Sequence, residues 1–98
     1  MNDIDKFEPL GVRVLIRFIM KEDKFGGVII PDKKKQHLMQ AEIIDLGEIA
    51  KERYGFEKGE IVFTPYWVGI NMEFYNFDFP EGDYRLITAE EILAKKRE

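Results

Sequence analysis

Apolar residues in this chain recur at every second position, in short runs closed by glycine or proline. Val12, Val14, Ile16 and Phe18 alternate with Arg13, Leu15 and Arg17. Met39, Ala41 and Ile43 alternate with Gln40, Glu42 and Ile44, and Asp45-Leu46-Gly47 ends that run. A tight turn is expected at Glu57-Lys58-Gly59-Glu60, followed by a strand over Ile61, Val62, Phe63 and Thr64. Ile70, Met72 and Phe74 alternate with Asn71 and Glu73. Tyr84, Arg85, Leu86 and Ile87 follow the turn signal Pro80-Glu81-Gly82-Asp83. Successive side chains of a strand point to opposite faces, so each run reads as a half-buried strand. Residues 48–56 read as a polar connection broken at Tyr54-Gly55. Helix is expected only near the end. There Thr88-Ala89-Glu90-Glu91 fits a capping box, and a short turn carries Ile92 and Leu93. Lys95, Lys96 and Arg97 then fall near its C-terminus, where the helix dipole favours positive charge. Short strands, turn signals and almost no helix indicate an all-β chain folded as a small β-barrel.

At 98 residues the chain is expected to be one domain spanning 1–98, with a single modest core that oligomer contacts supplement. A net charge of −4 disfavours non-specific nucleic-acid binding, which needs clustered Lys and Arg. Lys33, Lys34 and Lys35 form the internal basic run, read as a solvated loop tip. The absence of cysteine excludes disulfides and thiolate metal sites. The polar, acidic N-terminus lacks an apolar signal core, and no run approaches the roughly 20 apolar residues of a membrane span. A cytoplasmic location is expected.

Residues 21–38 break the strand pattern. Val28, Ile29 and Ile30 follow the hinge Gly26-Gly27, Pro31 stops them, and lysines flank the unit on both sides. The segment is too charged and too glycine-rich for a good core strand. It reads as a flexible loop carrying an apolar plug that binds something else; the competing reading is an ordinary buried strand with a polar turn. Burying three aliphatic side chains yields a gross gain on the order of 5–9 kcal/mol. Ordering half a dozen loop residues costs about 1–2 kcal/mol each. One such loop therefore binds weakly, and several on one assembly bind by avidity. Gly26 and Gly27 let the loop take a hairpin in a groove, and Pro31 narrows the unbound ensemble.

These segments together resemble the GroES family of co-chaperonins over nearly the whole chain. Pro9-Leu10-Gly11-Val12-Arg13-Val14-Leu15-Ile16 is similar to the family's opening strand, and Gly26-Gly27-Val28-Ile29-Ile30-Pro31 to its mobile-loop motif. Gln40-Ala41-Glu42-Ile43-Ile44-Asp45-Leu46-Gly47 is similar to the strand after that loop. Gly59-Glu60-Ile61-Val62 resembles Gly-Asp-x-Val, and Glu91-Ile92-Leu93-Ala94 the closing Asp-Ile-Leu-Ala. No single motif is specific; their order and spacing are. The chain departs from the family at Val12, where an aspartate is usual, and in the 47–59 connection, which is shorter than the roof hairpin of bacterial relatives. Such shortened roofs are similar to those of virus-encoded co-chaperonins. In Pro65-Tyr66-Trp67-Val68-Gly69, only Trp67 and Gly69 fit the family well.

The resemblance implies a GroES-like barrel assembled into a heptamer that caps a GroEL-type chaperonin ring in its nucleotide-bound state. Unfolded client protein is then enclosed in the chamber for folding, with no catalysis and no cofactor. It implies that Val28, Ile29 and Ile30 bind the chaperonin, with Gly26, Gly27 and Pro31 as hinges. First and last strands of neighbouring subunits would pair around 7–14 and 92–94, placing Pro9, Leu10, Arg13, Ile92 and Leu93 at the subunit interface. Tyr66 and Trp67 read as core or subunit-interface packing, with a chamber-facing aromatic ring, which resembles the family's inward tyrosine, as the functional alternative. Alternation cannot bury Phe74, Tyr75, Phe77 and Phe79 on one strand face, so Phe77 and Phe79 are expected at an interface.

Other chemistry has little support. His37 has no second histidine or cysteine to build a zinc site. The chain contains no serine or cysteine nucleophile, and Gly26-Gly27 lacks the Lys-Ser/Thr of a phosphate loop. A nucleic-acid-binding barrel is the alternative function, but its aromatic platform would sit among Glu73, Asp78, Glu81 and Asp83, the wrong sign for a phosphate backbone. A GroES-like barrel also occurs in medium-chain alcohol dehydrogenases; the chain has neither their zinc ligands nor a nucleotide-binding domain.

Overall fold

The computed structural model describes residues 4–19, 38–65, 67–71 and 82–97. Its strands are β1 (Arg13–Phe18), β2 (Leu38–Leu46), β3 (Ile61–Pro65), β4 (Ile70–Asn71), β5 (Tyr84–Thr88) and β6 (Ala94–Lys95). They form one six-stranded sheet in the order β4-β5-β1-β2-β3-β6, and every pairing is antiparallel. A short helix, α1 (Glu48–Glu52), lies between β2 and β3, and 3-10 turns occupy Ile4–Lys6 and Ala89–Glu91. This is the small all-β fold expected from the alternating runs.

The alternation sets the core. Val14, Ile16 and Phe18 of β1 meet Ala41 and Ile43 of β2, Val62 of β3 and Ile87 of β5, all buried. In register, Val14 faces Leu46 and Ile87, and Ala41 faces Val62. A bulge interrupts the β1–β2 pairing: Leu15 faces Asp45, but Ile16 faces Ile43, so Ile44 is the extra residue. One inserted residue reverses the facing of everything beyond it. That is why Ala41 and Ile43 point inward but Leu46, not Asp45, packs against the core. Thr64 faces Met39 and is fully buried; its hydroxyl donates to the Pro65 carbonyl at 3.1 Å, so it does not lie unsatisfied.

Three expectations need correction. Leu15, placed by alternation on the polar face, is completely buried; it pairs with Leu86 on the opposite side from Val14 and Ile16. Residues 48–56 are not merely a polar connection. The Gly11 carbonyl accepts from both the Ile49 and Ala50 amides, at 3.0 and 3.1 Å, which satisfies the first turn of α1. Ala50 and Phe56 are then buried in the core, and Tyr54 stacks on Phe56 with centroids 6.4 Å apart. At the C-terminal end the capping box forms, with Glu91 Oε1 accepting from the Thr88 amide at 2.9 Å. The turn stops at Glu91, however. Ile92 and Leu93 lie beyond it, because the Leu93 amide donates to the Phe63 carbonyl and draws the chain into β6. Lys95 therefore sits in a strand, not at a helix terminus.

Candidate functional site

The segment expected to carry the apolar plug connects β1 to β2. β1 ends at Phe18 and β2 begins at Leu38. The Ile19 amide donates to the Gln40 carbonyl at 2.9 Å, and the Arg17 guanidinium donates to Glu42 Oε1 at 2.9 Å two pairs further in. The Phe18 amide donates across to the Asp83 carbonyl at 2.9 Å, which anchors the end of β1 from its other side. Residues 20–37 are thus spliced between two fixed ends of one antiparallel pair. Leu38, the first residue on the return side, is 53% exposed; the alternating pattern gave no sign of that. Val28, Ile29 and Ile30, with Gly26, Gly27 and Pro31, lie outside the described residues, as does His37.

The residues expected at a subunit contact divide in two. Leu10 and Leu93 are exposed apolar side chains, at 66% and 60%, and Arg13 is exposed as well. Pro9 is buried within its own chain, and Ile92 packs onto its own core. Each exposed leucine therefore stands next to a residue that fixes its backbone. Leu10 sits at the point where Gly11 caps α1, and Leu93 is held by the bond to Phe63. The 54–60 connection is tied to the C-terminal segment by two side-chain hydrogen bonds. The Tyr54 hydroxyl donates to Glu90 Oε2 at 3.2 Å, and Lys95 Nζ donates to the Gly55 carbonyl at 3.3 Å. Loss of solvation first, then the adjoining Glu90 carboxylate, pushes the Tyr54 hydroxyl above its ordinary pKa.

Of the chamber-facing candidates, Trp67 is 63% exposed and Tyr66 lies outside the described residues. Ile70, three positions on, is 67% exposed and belongs to the edge strand β4. The turn between them needs Gly69, which has φ +75° and sits so close to the Leu86 carbonyl that no Cβ would fit. Phe77 and Phe79 are outside the described residues.

Comparison with known proteins gives a consistent result. The profile of the family described as "Chaperonin 10 Kd subunit" matches residues 6–96. The Co-chaperonin GroES of Thermotoga neapolitana is 34% identical over 95 residues, covering 95% of this chain and 98% of the relative. That of Thermosipho melanesiensis is 32% identical over 91 residues, covering 92% and 96%. That of Fervidobacterium nodosum is 32% identical over 94 residues, covering 95% and 99%.

Proposed function

This chain belongs to the Chaperonin 10 Kd subunit family and is a co-chaperonin acting with a GroEL-type chaperonin, and on that premise we propose how it does so. Val28, Ile29 and Ile30 enter an apolar groove of the nucleotide-loaded chaperonin ring. The chain presents them as a heptamer, and client protein is enclosed beneath the resulting lid. The family is not an enzyme family. The nucleic-acid-binding barrel weighed from the aromatic cluster gives way to this reading.

The observation that carries the proposal is the splice between β1 and β2. A family match over residues 6–96 supplies the class of function. The paired ends at Ile19 and Gln40 supply a rigid base from which an apolar triad is offered to a partner. A rigid base matters because a loop tethered at both ends spends fewer conformations reaching the groove, and each lost conformation weakens binding. The weak intrinsic affinity of one plug suits a lid that must leave in every cycle, while linked copies supply the affinity that closes it.

Ile29→Asp tests the assignment. A buried carboxylate without a partner is strongly disfavoured, so the plug fails to seat. On the loop reading Ile29 lies outside the core, so unfolding is expected to match the parent chain. The chaperonin's ATP hydrolysis, which a seated lid suppresses, is expected to run at its unliganded rate. A variant that still suppresses hydrolysis as the parent does removes Ile29 from the contact.

A further inference from the structure

The last described strand is held on the sheet by few contacts, and one side chain supplies several of them. β6 is two residues long, both exposed, and lies at the edge of the sheet. It faces only Val62 and Phe63, with the backbone bonds Leu93 N–H to Phe63 O at 2.9 Å and Lys96 N–H to Ile61 O at 2.8 Å on either side. So short an edge strand has little independent stability. Lys95 adds three contacts of another kind. Its Nζ donates to Glu60 Oε2 at 3.2 Å and to the Gly55 carbonyl at 3.3 Å, and it stands 5.4 Å from the centroid of the Phe56 ring. All three anchors belong to a platform that is itself fixed. Phe56 is buried, Gly59 donates to the Ile43 carbonyl at 2.8 Å, and Ile43 donates back to the Glu60 carbonyl at 2.9 Å. The nearby Lys58 is engaged elsewhere, 3.5 Å from Asp45, and does not compete for Glu60.

We propose that Lys95 is a latch that positions β6, and that the subunit contact made by this end of the chain depends on its charge. The 54–60 connection thereby gains a role in the latch, because it supplies the carbonyl, the carboxylate and the ring that receive the ammonium. Only a cation with donors meets all three, since the carbonyl and carboxylate need N–H groups and the ring face attracts positive charge. The consequence for assembly rests on the ring reading above; the latch itself does not.

The test uses the full chain with Lys95→Met, which keeps the stem over Phe56 but removes the charge, and Lys95→Arg, which restores it. Amide hydrogen exchange is read at Leu93 and Lys96, with Ile43 as the core reference. In the Met variant the two terminal amides are expected to exchange about three- to tenfold faster at unchanged Ile43 protection, the size of losing an ion pair and a ring contact. The Arg variant is expected to return them toward the parent rate. Raising salt from 0.1 to about 1 M speeds the parent's terminal amides and leaves the Met variant's unchanged. Terminal amides that exchange alike in the parent and Met chains overturn the latch, as does equal acceleration at Ile43, which signals a general loss of stability. Oligomer mass is measured on the same samples. If the terminal amides open and the mass stays the same, the latch stands and the placement of β6 at the subunit contact falls.

Discussion

At Gly47 two stretches of backbone lie in direct contact. A Cβ there would overlap the Gly11 carbonyl oxygen and stand 2.6 Å from the Gly11 nitrogen and 2.7 Å from the Leu10 carbonyl carbon. With φ at −76°, Gly47 needs glycine for space and not for its backbone angle. The contact lets its amide donate to the Arg13 carbonyl at 2.8 Å and brings α1 onto the Gly11 carbonyl. Gly47→Ala must push two main-chain segments apart, and packed backbone yields less readily than a side chain. Its free energy of unfolding is expected to fall by about 1–3 kcal/mol, read from the urea midpoint at constant slope. An unchanged midpoint would mean that the two segments part freely. The exposed Leu10 borders this junction, so a single methyl group also bears on the surface proposed to meet a neighbouring subunit.

Among the elements, the C-terminal turn shows most clearly how a local signal and tertiary pairing divide the chain. The capping box at Thr88 and Glu91 was readable because it rests on two side chains at a fixed spacing. Removing its reach-back arm, Glu91→Ala, is expected to cost about 0.5–2 kcal/mol in thermal or denaturant unfolding. A cost near zero would mean that β5 and β6 alone define the turn. The strands were readable for a similar reason, since period two and turn residues act locally. Three features were not. The end of the turn at Glu91 is set by Phe63, a residue far off in sequence that captures the Leu93 amide. Helix α1 spans five residues, too few for a 3.6-residue period to show, and its cap is the remote carbonyl of Gly11 in place of a side chain. The burial of Leu15 depends on what covers the outer face of β1, and alternation reports only that its neighbours face the other way. The β2 bulge explains why Leu46 ends up on the core side although it breaks the alternation of Ala41 and Ile43.

At the level of the whole molecule, the sheet fixes both ends of residues 20–37, and Leu10 and Leu93 are exposed. Both features make sense in a ring. The sheet edge β6 carries a short strand, a form that discourages unrestricted edge pairing. Contacts that repeat head to tail close into a ring when the rotation permits, and a ring multiplies a weak plug into a firm lid. The sequence singles out Val28, Ile29 and Ile30 with Gly26 and Gly27 as a unit that does not suit a core strand, and these residues lie outside the described ones. Their partner came from family resemblance and not from the residues themselves, because an aliphatic triad fits any greasy groove. Amide hydrogen exchange at Val28, Ile29 and Ile30, in the free chain and then with a GroEL-type double ring and nucleotide, tests the plug most directly. The three amides are expected to exchange at near-unfolded rates in the free chain and to slow by at least about a hundredfold in the complex. Strong protection in the free chain, unchanged by the chaperonin, would place the triad in the protein's own core and contradict its role as the contact.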